Sequence, residues 1–157
     1  MGLHFLTGGP GSANIYDDAL RDHGNDPHDF RVAAMRPTFV APTREQAWEL
    51  AAKSLRYMAA GYMQWTSEAD VASGAPKQTA ALPSVQEIIR NQSFDFFTER
   101  ALVGTPDDVI TQIAEYREHS RLTDLVCSMA LPGMPPDHIR AGMELFAREV
   151  IPYFRGP

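Results

Sequence analysis

The chain has 157 residues, 44% of them hydrophobic and 22% charged, with a formal net charge of -6. That is the make-up of an ordinary globular domain and excludes a disordered acidic chain, a collagen-like chain and a disulfide scaffold. No basic stripe invites nucleic acid, no apolar run approaches the ~20 residues that span a bilayer, and Met1 to Phe5 lacks the order of a signal peptide. The one cysteine, Cys127, has no partner for an intramolecular disulfide, which fits a reducing cytoplasm.

Leu3 to Thr7 reads as a short apolar strand. Gly8-Gly9-Pro10-Gly11 turns the chain, and Ser12 caps a helix that ends near Gly24. Asn25-Asp26-Pro27 breaks that helix. Phe30 to Ala41 reads as a second strand. Pro37 has no ladder donor, so the strand ends, bulges or lies at an edge there. Thr43 and Gln46 form a capping box that opens the clearest helix. Trp48, Ala51, Leu55, Met58 and Tyr62 then recur every three or four residues as a stripe of core residues.

From Thr66 to Pro83 the periodicity stops, and the composition predicts a long loop with the character of a mobile lid. Ser84 and Glu87 open a short helix to Gln92. Thr105-Pro106-Asp107-Asp108 is a strong helix start: threonine caps, proline takes the first turn, and carboxylates face the positive end of the dipole. Val109, Ile113 and Tyr116 follow on one face. Asp124 to Ala130 forms a third strand, whose apolar centre fits a parallel strand covered on both faces. After Pro132 to Pro136, a last helix from Asp137 to Val150 buries Ile139, Met143, Phe146 and Val150. This order predicts an α/β fold with about three parallel strands, covering helices and right-handed crossovers.

The motifs alone stop short of a reaction. The turn from Gly8 to Ser12 offers backbone donors to a phosphate, or is simply a tight turn; it matches neither a Walker loop nor a dinucleotide fingerprint. The five histidines lack metal-ligand spacing and have no cysteine pair beside them, so no metal site is expected. Cys127 reads as a buried structural thiol. Ser128 has no nucleophile elbow around it. Lys77, in the long loop, is placed to close over an anionic ligand or to stay solvated.

Three stretches carry a family resemblance. They are Gly2-Leu3-His4-Phe5-Leu6-Thr7-Gly8-Gly9, the run from Arg36 through Pro37, Thr38 and Phe39 to Trp48, and Ala101-Leu102-Val103-Gly104-Thr105-Pro106-Asp107-Asp108-Val109. With the closing helix they resemble the C-terminal part of bacterial luciferase-like, flavin-dependent monooxygenases. The resemblance implies the last three strands or so of a (β/α)8 barrel, a fold that takes about 200 residues or more when complete. It implies FMN or a deazaflavin as cofactor, a small organic substrate, and a long loop acting as lid.

The ends of the barrel strands are where such enzymes place their sites. That rule points to Thr7, Gly8 and Gly9 for the cofactor. It points to Arg36 and Thr38 (or Met35 and Pro37, according to the pleat) and Ser128 for substrate, and the lid-like loop adds Lys77. Some members carry an Arg-x-His pair where this chain has Met35-Arg36-Pro37-Thr38, so no catalytic residue is assigned. A shortened barrel exposes strand edges, so the chain is expected to act as a homo-oligomer or with a separate N-terminal half-barrel chain. The competing reading is a non-catalytic α/β assembly module that binds no flavin.

Overall fold

The computed structural model describes residues 3–7, 10–73, 81–96, 99–118 and 121–155. Its elements begin with β1 (Phe5–Thr7), α1 (Pro10–Asp22), a 3-10 turn (Pro27–Asp29), β2 (Val32–Val40) and α2 (Arg44–Ser73). Then come α3 (Val85–Asn91), an antiparallel pair of β3 (Asp95–Phe96) and β4 (Glu99–Arg100), β5 (Leu102–Gly104), α4 (Pro106–Glu118) and β6 (Asp124–Ser128). A terminal helix joins α5 (Pro136–Leu145), one π-helical turn (Phe146–Val150) and α6 (Ile151–Arg155).

The main sheet is four-stranded and parallel, and β2 is its hub. β1 pairs with it from Val32 to Ala34, β6 from Ala33 to Pro37, and β5 from Thr38 to Val40. The three long-range strands match the expected barrel segment; β5 is an additional short strand.

Pro37 does not end β2. The Arg31 carbonyl accepts from Phe5 in β1, and the Ala41 amide donates to Gly104 in β5. Val32 instead faces Thr123, just before β6. Backbone groups alternate in direction along a strand, so Pro37 shares the edge used by Arg31 and Ala41. On that edge it falls between the last β1 pair and the first β5 pair, and its missing donor removes no ladder bond.

Successive residues of β2 enter different cores. Phe39 packs with Ala47, Trp48, Ala51 and Leu55 of α2, and with Val103, Leu131 and Met134. Val40 packs with Leu102, Val109, Ile113, Met129 and Val150. The terminal helix approaches β2 closely: a Cβ on Gly142 would sit 3.0 Å from the Phe39 ring.

The sequence expectations need four corrections. Residues 66–73 are helical, because α2 runs for 30 residues. No glycine or proline interrupts it between Tyr62 and Ser73, the Thr66 hydroxyl donates to the Tyr62 carbonyl at 2.9 Å, and Gln64 bonds Glu68 at 2.9 Å. The stretch looked like a loop because the buried stripe ends near Ala59; Tyr62 and Trp65 are exposed, and the helix beyond the core needs few apolar residues. The remaining lid residues 74–80 lie outside the described residues. Second, α1 starts at Pro10, so Ser12 sits inside the helix. Third, β6 is shorter than expected and has an exposed Val126, so it is not covered on both faces. Fourth, Tyr62 and Met143, expected in the core, are each 43% exposed.

Of the expected capping boxes, the one before α2 is represented by the Gln46 amide donating to the Thr43 hydroxyl at 3.2 Å, and the one before α3 forms in full; the expected Thr105 cap of α4 is a second full box. Ser84 and Glu87 exchange bonds, as do Thr105 and Asp108. Gly104 permits the second box: its φ is +153°, and a Cβ there would lie 2.6 Å from the Asp108 Cβ. Asp108 also accepts from both arms of Arg44 and so ties the start of α2 to the start of α4.

Two electrostatic predictions follow from these contacts. Arg121 binds both oxygens of Asp17 and donates to the Phe30 carbonyl at 3.0 Å, and the two side chains are 20% and 7% exposed. Arg121→Met strands the Asp17 carboxylate and should lower stability by about 3 kcal/mol in chemical denaturation. Arg21→Met, which breaks the exposed pair with Asp18, should change it by less than about 1 kcal/mol. A result in which the two variants lose equal amounts would contradict the burial argument.

Asp108 is held at a pKa of about 2, first by Arg44 and then by the Thr105 amide and hydroxyl. Its folded value is depressed, so its contribution is complete above the unfolded value near ~3.9 and is lost as pH falls from there toward the folded value. Arg44 is half exposed, so solvent screening keeps the contribution well below the full value of the shift. Asp108→Asn should flatten the loss of stability with falling pH over that window. An unchanged acid limb would show that the ion pair does not couple to folding.

Candidate functional site

The first half of β2 separates two faces of the sheet. Val32, Ala34 and Arg36 are buried, whereas Met35 is 50% exposed. Strand pairing extends each face to the neighbours, because residues in register share a face. Leu6 lies beside Ala33, Val126 beside Met35, and Ser128 beside Pro37. Leu6 and Val126 are 57% and 44% exposed. Three adjacent strands thus present an open apolar surface with one hydroxyl, Ser128, toward its C-terminal rim. At the other end Arg31 forms a two-pronged pair with Asp124, which helps lock β2 to β6.

Arg36 and Thr38 occupy the opposite face. The Arg36 guanidinium lies over the Tyr116 ring at 4.6 Å, bonds the Tyr116 hydroxyl, and donates to the Met35 carbonyl at 2.6 Å. A stacked, multiply bonded guanidinium of this kind ties strand to helix. The Thr38 hydroxyl is fully buried and donates to the Arg36 carbonyl at 3.0 Å. These two residues therefore do not line a common surface with Ser128. The residues that do are Leu6, Met35 and Val126. The strand alternation already named Met35 as the other choice of pleat; nothing local marked Leu6 or Val126.

Cys127 belongs to the covered face beside Thr38. Burial pushes its thiol above the ordinary value, so it stays neutral, as expected of a structural cysteine. His4 accepts from the Arg31 amide at Nδ1, 3.0 Å away, and so braces the start of β1. Thr7 ends β1 in register with Ala34. Gly8, Gly9 and Lys77 lie outside the described residues. Among the described residues no three His, Cys, Asp or Glu side chains converge as metal ligands, and no helix is long and apolar enough to cross a membrane.

The open face can receive an apolar, flat group or another sheet-forming segment. Among the described residues its charges are the paired Arg31 and Asp124, at the end away from Ser128. Proton transfer would need a group from elsewhere.

Comparison with known proteins matches this architecture. The sequence profile of the luciferase-like monooxygenases matches residues 11–121. The fold is similar to the oxygenating constituent of 3,6-diketocamphane monooxygenase from the CAM plasmid of Pseudomonas putida, solved in complex with FMN. The TM-score is 0.63 at 20% identity, covering 97% of this chain and 42% of that one. It is also similar to the coenzyme F420 dependent tetrahydromethanopterin reductase of Methanopyrus kandleri (TM-score 0.58, 17% identity, 98% of this chain and 46% of that one). A long-chain alkane monooxygenase gives a TM-score of 0.53 at 18% identity, covering 96% of this chain and 36% of that one. No curated protein matches the chain. The chain spans less than half the length of these solved structures. Its parallel strands and covering helices correspond to part of their barrel, and the chain belongs to the luciferase-like monooxygenase family.

Proposed function

We propose that this chain is the closing, C-terminal portion of a luciferase-like barrel and works in the cytoplasm as a flavin- or deazaflavin-dependent monooxygenase module. It becomes competent when its open face is covered, either by further copies of the chain or by a separate half-barrel chain. The observation that carries this reading is the surface of Leu6, Met35 and Val126 across three parallel strands. Apolar side chains of this kind on a sheet face normally meet a second layer. Among the described residues, β1 and β6 each pair only with β2, so each also offers an unused edge.

The residues present suit part of a flavin. Leu6, Met35 and Val126 would pack against its ring system. Gly8, Gly9 and the start of α1 would receive its phosphate, where backbone donors and the helix dipole favour an anion. Thr7 would stand at the same rim, and Ser128 would offer a hydroxyl to ring or substrate. Lys77 would approach from the segment after α2. Arg36 and Thr38 would act from behind, holding β2 against α4. The cofactor would supply the oxygen chemistry, and the protein would orient it and keep water out. FMN accompanies one structural relative and coenzyme F420 another, which supports either cofactor class here.

The test combines light scattering with titrations of FMN and deazaflavin followed by visible spectroscopy. The chain should associate, and flavin should bind to the associated form only. Met35→Lys with Val126→Lys should disperse the association while changing stability by no more than about 0.5 kcal/mol per site, because both side chains are exposed. A monodisperse monomer with a cooperative melt would remove the assembly claim. Flavin binding in no associated state would favour the non-catalytic assembly module.

A further inference from the structure

On the covered side of the sheet, away from the open face, a groove of about 530 Å³ runs between α4, β6 and the terminal helix. Its volume falls in the range of small-molecule sites, about 300–1,000 Å³. Ile113, Leu125, Phe146, Val150 and Phe154 make an apolar floor. Two of these, Phe146 and Val150, belong to the π-helical turn. Such turns often mark binding sites, because the widened turn displaces side chains from the regular helical face.

Two guanidiniums, Arg117 and Arg155, border the same groove. Arg21, Arg31, Arg44, Arg121 and Arg148 each form an ion pair, but Arg117 and Arg155 form none among the described residues. Both stand in the last turn of their helices, where positive charge offsets the helix dipole. That role explains one arginine per helix, but not the meeting of both at one apolar groove. Asp124 also borders the groove, but Arg31 already neutralises it. Glu118 borders the adjoining space together with Arg117, so the mouth keeps a net positive charge.

We propose that this groove binds a free single-chain carboxylate amphiphile. The chain lies along the floor from Phe146 to Phe154, and the carboxylate sits between Arg117 and Arg155. An apolar floor rewards burial of an alkyl chain in proportion to its area. A carboxylate matches the forked donors of a guanidinium better than a neutral head does. The site is independent of the open face and of any flavin.

Decanoate, kept below its micelle concentration, is the probe, titrated into the full chain by calorimetry. A diazirine-bearing decanoate followed by peptide mass spectrometry reports the location. Saturable binding with labelling on α4 and the terminal helix is expected. Arg117→Ala with Arg155→Ala should weaken decanoate binding about tenfold or more, and should leave binding of decan-1-ol within about twofold. Both arginines are exposed, so the variant should keep the parent melting midpoint; Arg155→Ala alone, at the end of the last helix, should give an intermediate loss. Labelling centred on Leu6, Met35 and Val126, equal decanoate affinity in parent and variant, or no saturable binding would each overturn the proposal.

Discussion

Every parallel strand in this structure is held by β2. The strand uses one edge for β1 and then β5, and the other for β6; among the described residues these neighbours do not pair with one another. Its nine residues therefore set the register of the whole sheet. The position of Pro37 shows how tightly this is arranged. A proline inside a two-sided strand ordinarily removes a ladder bond, but here it falls where one neighbour has ended and the next has not begun. Thr123 and Asp124 lock the β6 side, through bonds to Val32 and an ion pair with Arg31.

Around β2 the covering is unequal. Toward its C-terminal end both faces are packed, with Phe39 in the α2 core and Val40 in the α4 core. Lower down, only the face of Val32, Ala34 and Arg36 is covered, and Met35 and its neighbours meet solvent. The asymmetry follows from the reach of α2, which packs on Phe39 and leaves Met35 exposed.

Much of the local structure was readable in advance, because it depends on residues within one turn of each other. The Ser84–Glu87 box forms as its spacing predicts, and Thr105 caps α4 as expected. The stripe from Trp48 to Leu55 is buried, as its period requires. The end of α2 was not readable. Its residues 66–73 keep helical hydrogen bonding while contributing little to a core, so periodicity, which registers burial, lost the helix before the backbone did. The candidate site divides in the same way. Ser128 shares the face of Met35 and Pro37, whereas Arg36 and Thr38 share the opposite one, the two choices of pleat that alternation leaves open.

The amino-acid order alone determined the family, the alternation of strands and helices, and the caps that start α3 and α4. It also determined that Arg36 and Thr38 share one face of β2 while Met35 and Pro37 share the other, because side chains alternate along any strand. Which face is covered was decided only in three dimensions. Tyr116 must come back from α4 to take the Arg36 guanidinium, and β6 must pair beside Met35 with Val126 in register. Those contacts join residues about eighty and about ninety positions apart, and a period of two carries no information about which side of a sheet a distant helix will occupy.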